Sequence, residues 1–144
     1  VMTADCLPLL ICNTKETQVA ACHAGWRGLC DGVIESCIAQ FEEANDVMVW
    51  LGPAIGANAF EVGDEVKQAF ILQDKQAEKA FKASNNEGKW LADIYQLARQ
   101  RLASLGVRHI YGGEYCTYED ESHFFSYRRD HQTGRMASVI WIES

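Results

Sequence analysis

Cys6 and His23 are the residues whose types and spacing could do chemistry. Two apolar runs, 7–12 and 18–24, flank the polar stretch Asn13–Thr17, the pattern of an antiparallel hairpin. A turn centred between Thr14 and Lys15 sets Cys6 opposite His23, where Cβ atoms lie about 4.5–5.5 Å apart. A thiol and an imidazole at that distance can share a metal ion or act as nucleophile and base. Asp5 precedes the cysteine, and His23 enters the glycine-flanked turn Gly25-Trp26-Arg27-Gly28. Catalytic zinc sites usually have three protein ligands and a water. Within the chain His123 and His131 are candidates for a third; an upstream segment is another source.

A set of arginines could bind an anion. Arg27 falls near the start of a helix, where a cation opposes the helix dipole, so a bound anion gives it a reason to be there. Tyr127, Arg128 and Arg129, in the segment Phe124–Asp130 with Arg135 beyond, read as an aromatic and arginine wall able to stack a base and hold phosphate or ribose. The plainer alternative for that segment is an amphipathic strand followed by a salt-bridged turn. His109 falls in a strand candidate and reads as structural.

The chain of 144 residues carries a formal net charge of −7, which argues against a broad nucleic-acid surface and favours a small anionic ligand at the few local arginines. No apolar run reaches the ~18 residues of a membrane span, and no secretory leader pattern is present. The six cysteines sit in a chain with enough apolar residues to build a core, so reduced thiols and a cytoplasmic location are expected. Val1-Met2-Thr3 already reads as mid-strand, so upstream sequence is expected and residues 1–144 are read as one domain forming the C-terminal part of a longer one.

Elements follow from periodicity. Cys30, Val33, Ile34, Cys37, Ile38 and Phe41 form one apolar stripe, predicting a helix over 27–43 with Gly32 a mild defect and Cys30 and Cys37 as core thiols. Strands are expected at 46–51, 107–111, 124–127 and 136–142, and helices at 61–72 and 91–105. The polar stretch 73–89 reads as an exposed excursion. Interleaved strands and helices with a leading hairpin predict an α/β class with a mixed sheet.

Thr3-Ala4-Asp5-Cys6, Cys22-His23-Ala24-Gly25-Trp26-Arg27-Gly28, Gly52-Pro53-Ala54-Ile55-Gly56, Phe60-Glu61-Val62-Gly63 and Phe125-Ser126-Tyr127-Arg128-Arg129-Asp130 occur together and in order. This set resembles the YfiH type, a multicopper polyphenol oxidase (laccase-like) family also called purine nucleoside phosphorylase. Ala59-Phe60 and His131 depart from the family's frequent Cys-Tyr and Gly. The resemblance implies a four-layer α/β/β/α sandwich with a mixed sheet. It implies phosphorolysis of adenosine, inosine and methylthioadenosine, together with adenosine deamination. It also implies zinc held by Cys6, His23 and a further histidine from an earlier family segment. On this reading Arg27 helps hold phosphate while Tyr127, Arg128 and Arg129 contact the nucleoside; purine nucleoside and phosphate are the expected partners, without nucleic acid or membrane.

Copper is the alternative metal. A blue-copper centre needs two His and a Cys, and a trinuclear cluster needs many more histidines. Four histidines with no His-x-His pair cannot build a conventional multicopper set, so copper oxidase chemistry ranks below zinc-assisted nucleoside chemistry. A cysteine hydrolase using Cys6 and His23, and a non-enzymatic metal-binding module, are the remaining readings.

Overall fold

The computed structural model describes residues 1–144. Its core is a four-stranded sheet built on the predicted hairpin. β2 (Leu7–Asn13) pairs antiparallel with β3 (Val19–Ala24) and with β4 (Val47–Leu51); β4 pairs parallel with β8 (His109–Gly112). Strand order is β3-β2-β4-β8, so the sheet is mixed, as the hairpin implied. Leu7, Leu9 and Ile11 alternate with Val49 and Leu51 into one core face and are essentially fully buried.

The hairpin register differs from the expected one. Asn13 closes the loop: its N–H donates to Gln18 O at 3.2 Å, and its side-chain carbonyl accepts the N–H groups of Thr17 and Gln18, each at 3.0 Å. Glu16 turns with φ 56°. The centre therefore falls between Lys15 and Glu16, one residue later than expected. Pro8 lies opposite His23 and Leu7 opposite Ala24. Cys6 and His23 are diagonal neighbours, not a directly opposed pair. A one-residue shift of the centre moves pairing by two and keeps both side chains on the same face.

The first helix is two short ones. α1 (Trp26–Asp31) and α2 (Val33–Ile38) are divided by Gly32, at φ 100°. That conformation favours glycine, so Gly32 breaks the helix where a mild defect was expected. The stripe survives the break: Cys30, Ile34, Ile38 and Phe41 are buried, with Val33 and Cys37 packed at its margin.

Residues 61–72 do not make one helix. β5 (Glu61–Gly63) comes first, and α3 (Asp64–Gln73) starts with Asp64 and Glu65 in its first turn, where carboxylates favour the helix dipole. The stretch expected to be an exposed excursion is structured. A 3-10 turn over Lys75–Ala80, β6 (Phe81–Ala83) and β7 (Lys89–Ala92) follow, and β5-β7-β6 form a second, antiparallel sheet. Its few apolar anchors, Ala77, Ala80 and Phe81, are buried, too sparse for a periodic signal. α4 (Ile94–Ser104) starts later than expected because Leu91 belongs to β7 and Asp93 caps the helix, accepting the Gln96 N–H at 3.0 Å.

Near the C-terminus the expected strand at 124–127 is loop leading into a single turn, α5 (Tyr127–Asp130). Of 136–142 only β9 (Met136–Ala137) is strand, paired with β1 (Met2–Thr3). No neighbouring strand pairs with 124–127 or with the residues beyond Ala137, so alternation there makes no ladder. No helix is long and apolar enough to cross a membrane.

Two glycines with positive φ separate conformational strain from collision. Gly106 has φ 86° and open space around it; Gly112 has φ 80°, and a Cβ there would run into the Leu51 carbonyl oxygen. Gly106→Ala is expected to cost about 1–2 kcal/mol, the left-handed penalty alone. Gly112→Ala is expected to cost clearly more in urea denaturation. Equal losses would show that backbone conformation, not the close approach of β8 to β4, sets the requirement.

Candidate functional site

The segment Ala4–Cys6 leaves the β1–β9 ribbon and enters β2. Asp5 adopts φ 94°, a strained conformation for a residue with a side chain. It is held there from both ends. Its carbonyl accepts the Ile55 N–H at 2.9 Å. One carboxylate oxygen accepts the Thr117 hydroxyl at 2.7 Å, and the other accepts the Arg128 N–H at 2.7 Å. Asp5 is 9% exposed and Thr117 is fully buried, so these bonds are shielded from water.

This arrangement aims Cys6 into a cavity of about 440 Å³ lined also by Thr3, His23, Trp26, Tyr127, Arg128 and Arg135. That volume lies within the range of small-molecule sites. Gly25 faces the thiol: a Cβ there would sit 3.0 Å from Cys6 Sγ, so the glycine after His23-Ala24 makes room for the cysteine. Burial pushes the Cys6 thiol above its ordinary pKa and the Asp5 carboxylate adds to the rise, while Arg135 opposes it. Thr3 is 2% exposed, and its hydroxyl has no hydrogen-bond partner. Buried hydroxyls are nearly always paired; this one is sealed from solvent as well as unpaired, so Thr3 lines the cavity by its residue and not by an exposed hydroxyl.

The arginines divide between cavity and scaffold. Arg128 reaches the cavity; its Nη1 donates to Glu61 O at 2.7 Å, and its guanidinium lies 5.5 Å from the Phe60 ring centroid. Arg135 also lines the cavity, and its Nη1 donates to the carbonyls of Thr133 and Gly134. Arg129, expected in the nucleoside wall, is instead a strut. Its guanidinium donates to the carbonyls of Thr117, Tyr118 and Phe124 at 2.9–3.1 Å and pairs with Asp130. Asp130 holds its pKa above the ordinary arginine value.

Arg27, expected to bind phosphate at a helix start, is exposed and outside the cavity lining. Its guanidinium stacks 5.0 Å from the Trp26 ring centroid. The short helix α1 turns that side chain outward while Trp26 takes the cavity wall. Tyr127 lines the cavity, with its ring 6.0 Å from His131 in an edge-on arrangement.

No group of three or more His, Cys, Asp or Glu side chains is placed to hold a metal ion. His123 is engaged with Asp120 at 2.9 Å, and His131 sits exposed at φ 58° beside Tyr127. Neither completes the Cys6–His23 pair, and His109 is an exposed residue of β8. The chain thus presents one thiol and one imidazole to the cavity. A thiol and an imidazole are donor types that zinc accepts, and two are fewer than such a site needs.

Three contributors carried little sequence signal. Thr117 shows no motif of its own, Thr3 looks like an ordinary strand residue, and Asp5 stood out only as the neighbour of Cys6. Each matters through a contact more than a hundred residues away or through burial.

Asp5→Asn removes the negative charge; its amide oxygen can still accept the Arg128 N–H while its NH2 donates to the Thr117 hydroxyl. Replacing two charge-assisted bonds by neutral ones is expected to cost about 1–3 kcal/mol. The Cys6 pKa should fall with the charge gone, so alkylation of metal-free protein should begin at lower pH. Arg135→Ala should move the alkylation profile the opposite way. Unchanged profiles in both would show that neither charge acts on the thiol.

The family model described as multi-copper polyphenol oxidoreductase laccase matches residues 1–143. The chain is 59% identical over 143 residues to Escherichia coli "Purine nucleoside phosphorylase YfiH", covering 99% of this chain and 58% of that protein. It is 54% identical over 145 residues to a Haemophilus influenzae "Purine nucleoside phosphorylase", covering 99% of this chain and 59% of that one. Thus it spans somewhat under two thirds of the length of these relatives. A crystal structure of a Neisseria meningitidis protein superposes with TM-score 0.96 at 52% identity, covering all of this chain and 60% of that one. A Bacillus licheniformis protein titled YfiH gives TM-score 0.86 at 31% identity, covering 93% and 53%. The mixed α/β architecture is shared with these structures, and the chain belongs to the YfiH-type family described as multi-copper polyphenol oxidoreductase laccase.

Proposed function

We propose that the cavity at Cys6 and His23 belongs to a purine nucleoside enzyme that cleaves nucleosides with phosphate. The supporting observation is convergence: a thiol, an imidazole, two arginines and a tyrosine share one cavity of about 440 Å³. Arg128 and Arg135 supply the positive charge for phosphate. Tyr127 offers an aromatic face to the base. The names carried by the curated relatives point to the same substrate class. Adenosine, inosine and methylthioadenosine are the proposed substrates, with adenosine deamination as a companion activity. The chain is proposed to act as one domain, within a longer family domain.

Zinc is the proposed metal, held by Cys6 and His23 with a third ligand from outside residues 1–144. When bound, zinc lowers the pKa of its water to about 7 and supplies hydroxide. The chain's own residues do the rest. The buried Asp5 holds the cysteine-bearing turn in place, Gly25 leaves room for its sulfur, and the arginines orient the anion.

Two other readings draw less support. A cysteine hydrolase needs a ready thiolate, yet burial and Asp5 both push the Cys6 thiol up. Copper oxidase chemistry needs clustered histidines, and His109, His123 and His131 lie away from this cavity.

The test pairs metal analysis with product analysis on adenosine, with and without phosphate, in a full-length family protein carrying this sequence. Phosphate-dependent release of adenine and bound zinc are expected. Cys6→Ser and His23→Ala should each lower zinc content and turnover by more than the roughly 10–100-fold typical of losing an outer-shell partner. Full turnover after complete chelation would overturn the zinc assignment. Absence of phosphate-dependent base release from zinc-loaded protein would overturn the phosphorolysis assignment.

A further inference from the structure

Cys22 and Cys37 lie outside the cavity and serve none of the roles above. Cys22 is on β3 and is 4% exposed; Cys37 is on α2 and only partly buried. Side chains alternate across a strand. Cys22 therefore faces α2 while the next residue, His23, faces the other way and is exposed. Cys22 Sγ sits 4.0 Å from the carbonyl of Val33, in the first turn of α2. Cys37 is one helical turn further along that face. The Val33 carbonyl is the one that the Cys37 N–H meets in the helical i to i−4 pattern, so the Cys37 side chain comes beside the Cys22 thiol.

We propose that Cys22 and Cys37 form an oxidation site at which a peroxide-class oxidant joins β3 to α2 through a disulfide. The asymmetry of the pair assigns the order of events. Cys37 is the thiol that solvent reaches while Cys22 is buried, and the neighbouring Cys22 thiol draws the Cys37 pKa down against the opposing effect of burial. A partly exposed thiol with thiolate character is the kind that peroxides oxidise. Cys37 sulfur attacks one peroxide oxygen, the O–O bond breaks, and Cys37 becomes a sulfenic acid as water leaves. Cys22 sulfur then attacks Cys37 sulfur. The S–O bond breaks, the S–S bond forms, and hydroxide leaves with the Cys22 proton as a second water. Hydrogen peroxide is reduced to two waters, and the two thiols lose two hydrogens.

Cys22 is an effective resolving thiol because it is buried against its partner and shielded from direct attack. The other buried thiol of the helix pair, Cys30, has a different neighbour: the Gln73 side-chain amide reaches its sulfur at 3.6 Å. The disulfide would tie the strand that carries His23 to the helix behind it, on the face away from the cavity.

The experiment treats the folded protein with hydrogen peroxide, blocks free thiols, and maps tryptic peptides without reduction. Cleavage after Arg27 separates Cys22 from Cys37, so a disulfide is needed to keep the two peptides together. The expected result is a linked pair lighter by two hydrogens and released by dithiothreitol. Cys37→Ser should abolish the link, and Cys22→Ser should leave a sulfenic acid at Cys37 that dimedone traps. Persistence of the link in Cys37→Ser would place it at Cys30 and overturn the proposal. So would oxidation of Cys6, Cys12 or Cys116 in wild-type protein while Cys22 and Cys37 stay unlinked. If Cys22→Ser does not fold, the partly exposed Cys37→Ser decides by itself.

Discussion

The site depends on one buried carboxylate. Asp5 accepts bonds from a hydroxyl 112 residues away and a backbone N–H 123 residues away, and its own carbonyl takes a third bond from Ile55. Water competes poorly for these groups, so each bond holds more firmly than at a surface. Together they fix the left-handed turn that points Cys6 into the cavity. They also set the N–H of Arg128, and with it the turn α5 that brings Tyr127 and Arg128 to the cavity wall. The same charge raises the pKa of the neighbouring thiol. One residue thus positions the cysteine, places the opposite wall and tunes the thiol between them.

Beside that carboxylate, the glycine-rich turn after His23 acts mainly by what it lacks. Gly25 has no Cβ to strike Cys6 Sγ, and Trp26 then forms cavity wall while Arg27 stacks on it from outside. The arginines of the C-terminal segment look alike in sequence but divide by contact. Arg128 and Arg135 line the cavity, whereas Arg129 spends its guanidinium on three carbonyls and Asp130. An arginine already saturated by backbone acceptors has little left for a ligand.

Legibility followed the range of the determining contacts. The hairpin, the strand ending at Leu51 and the helix ending before Gly106 were readable because alternation, helical periodicity and glycine stops are local signals. The small sheet over residues 61–92 was not, because its strands are short and their apolar residues few. Alternation at 124–127 and beyond Ala137 does not become strand because no partner strand lies there to complete a ladder. The hairpin centre was misplaced by one residue because the Asn13 side chain, not the loop length alone, closes the turn.

By itself the sequence determined that this is an α/β chain of the YfiH type and that a cysteine and a histidine share one face of an antiparallel hairpin. Those conclusions rest on residue identity and spacing, which survive a slip of the turn centre because strand faces alternate with period two. Tertiary structure alone decided that Arg129 is a strut, that Arg27 lies outside the cavity and that Arg135 and Thr3 lie within it. It alone brought Thr117 to Asp5 and Cys37 to Cys22. In each case the deciding quantity is which groups meet across segments distant in the chain, and no local pattern encodes that.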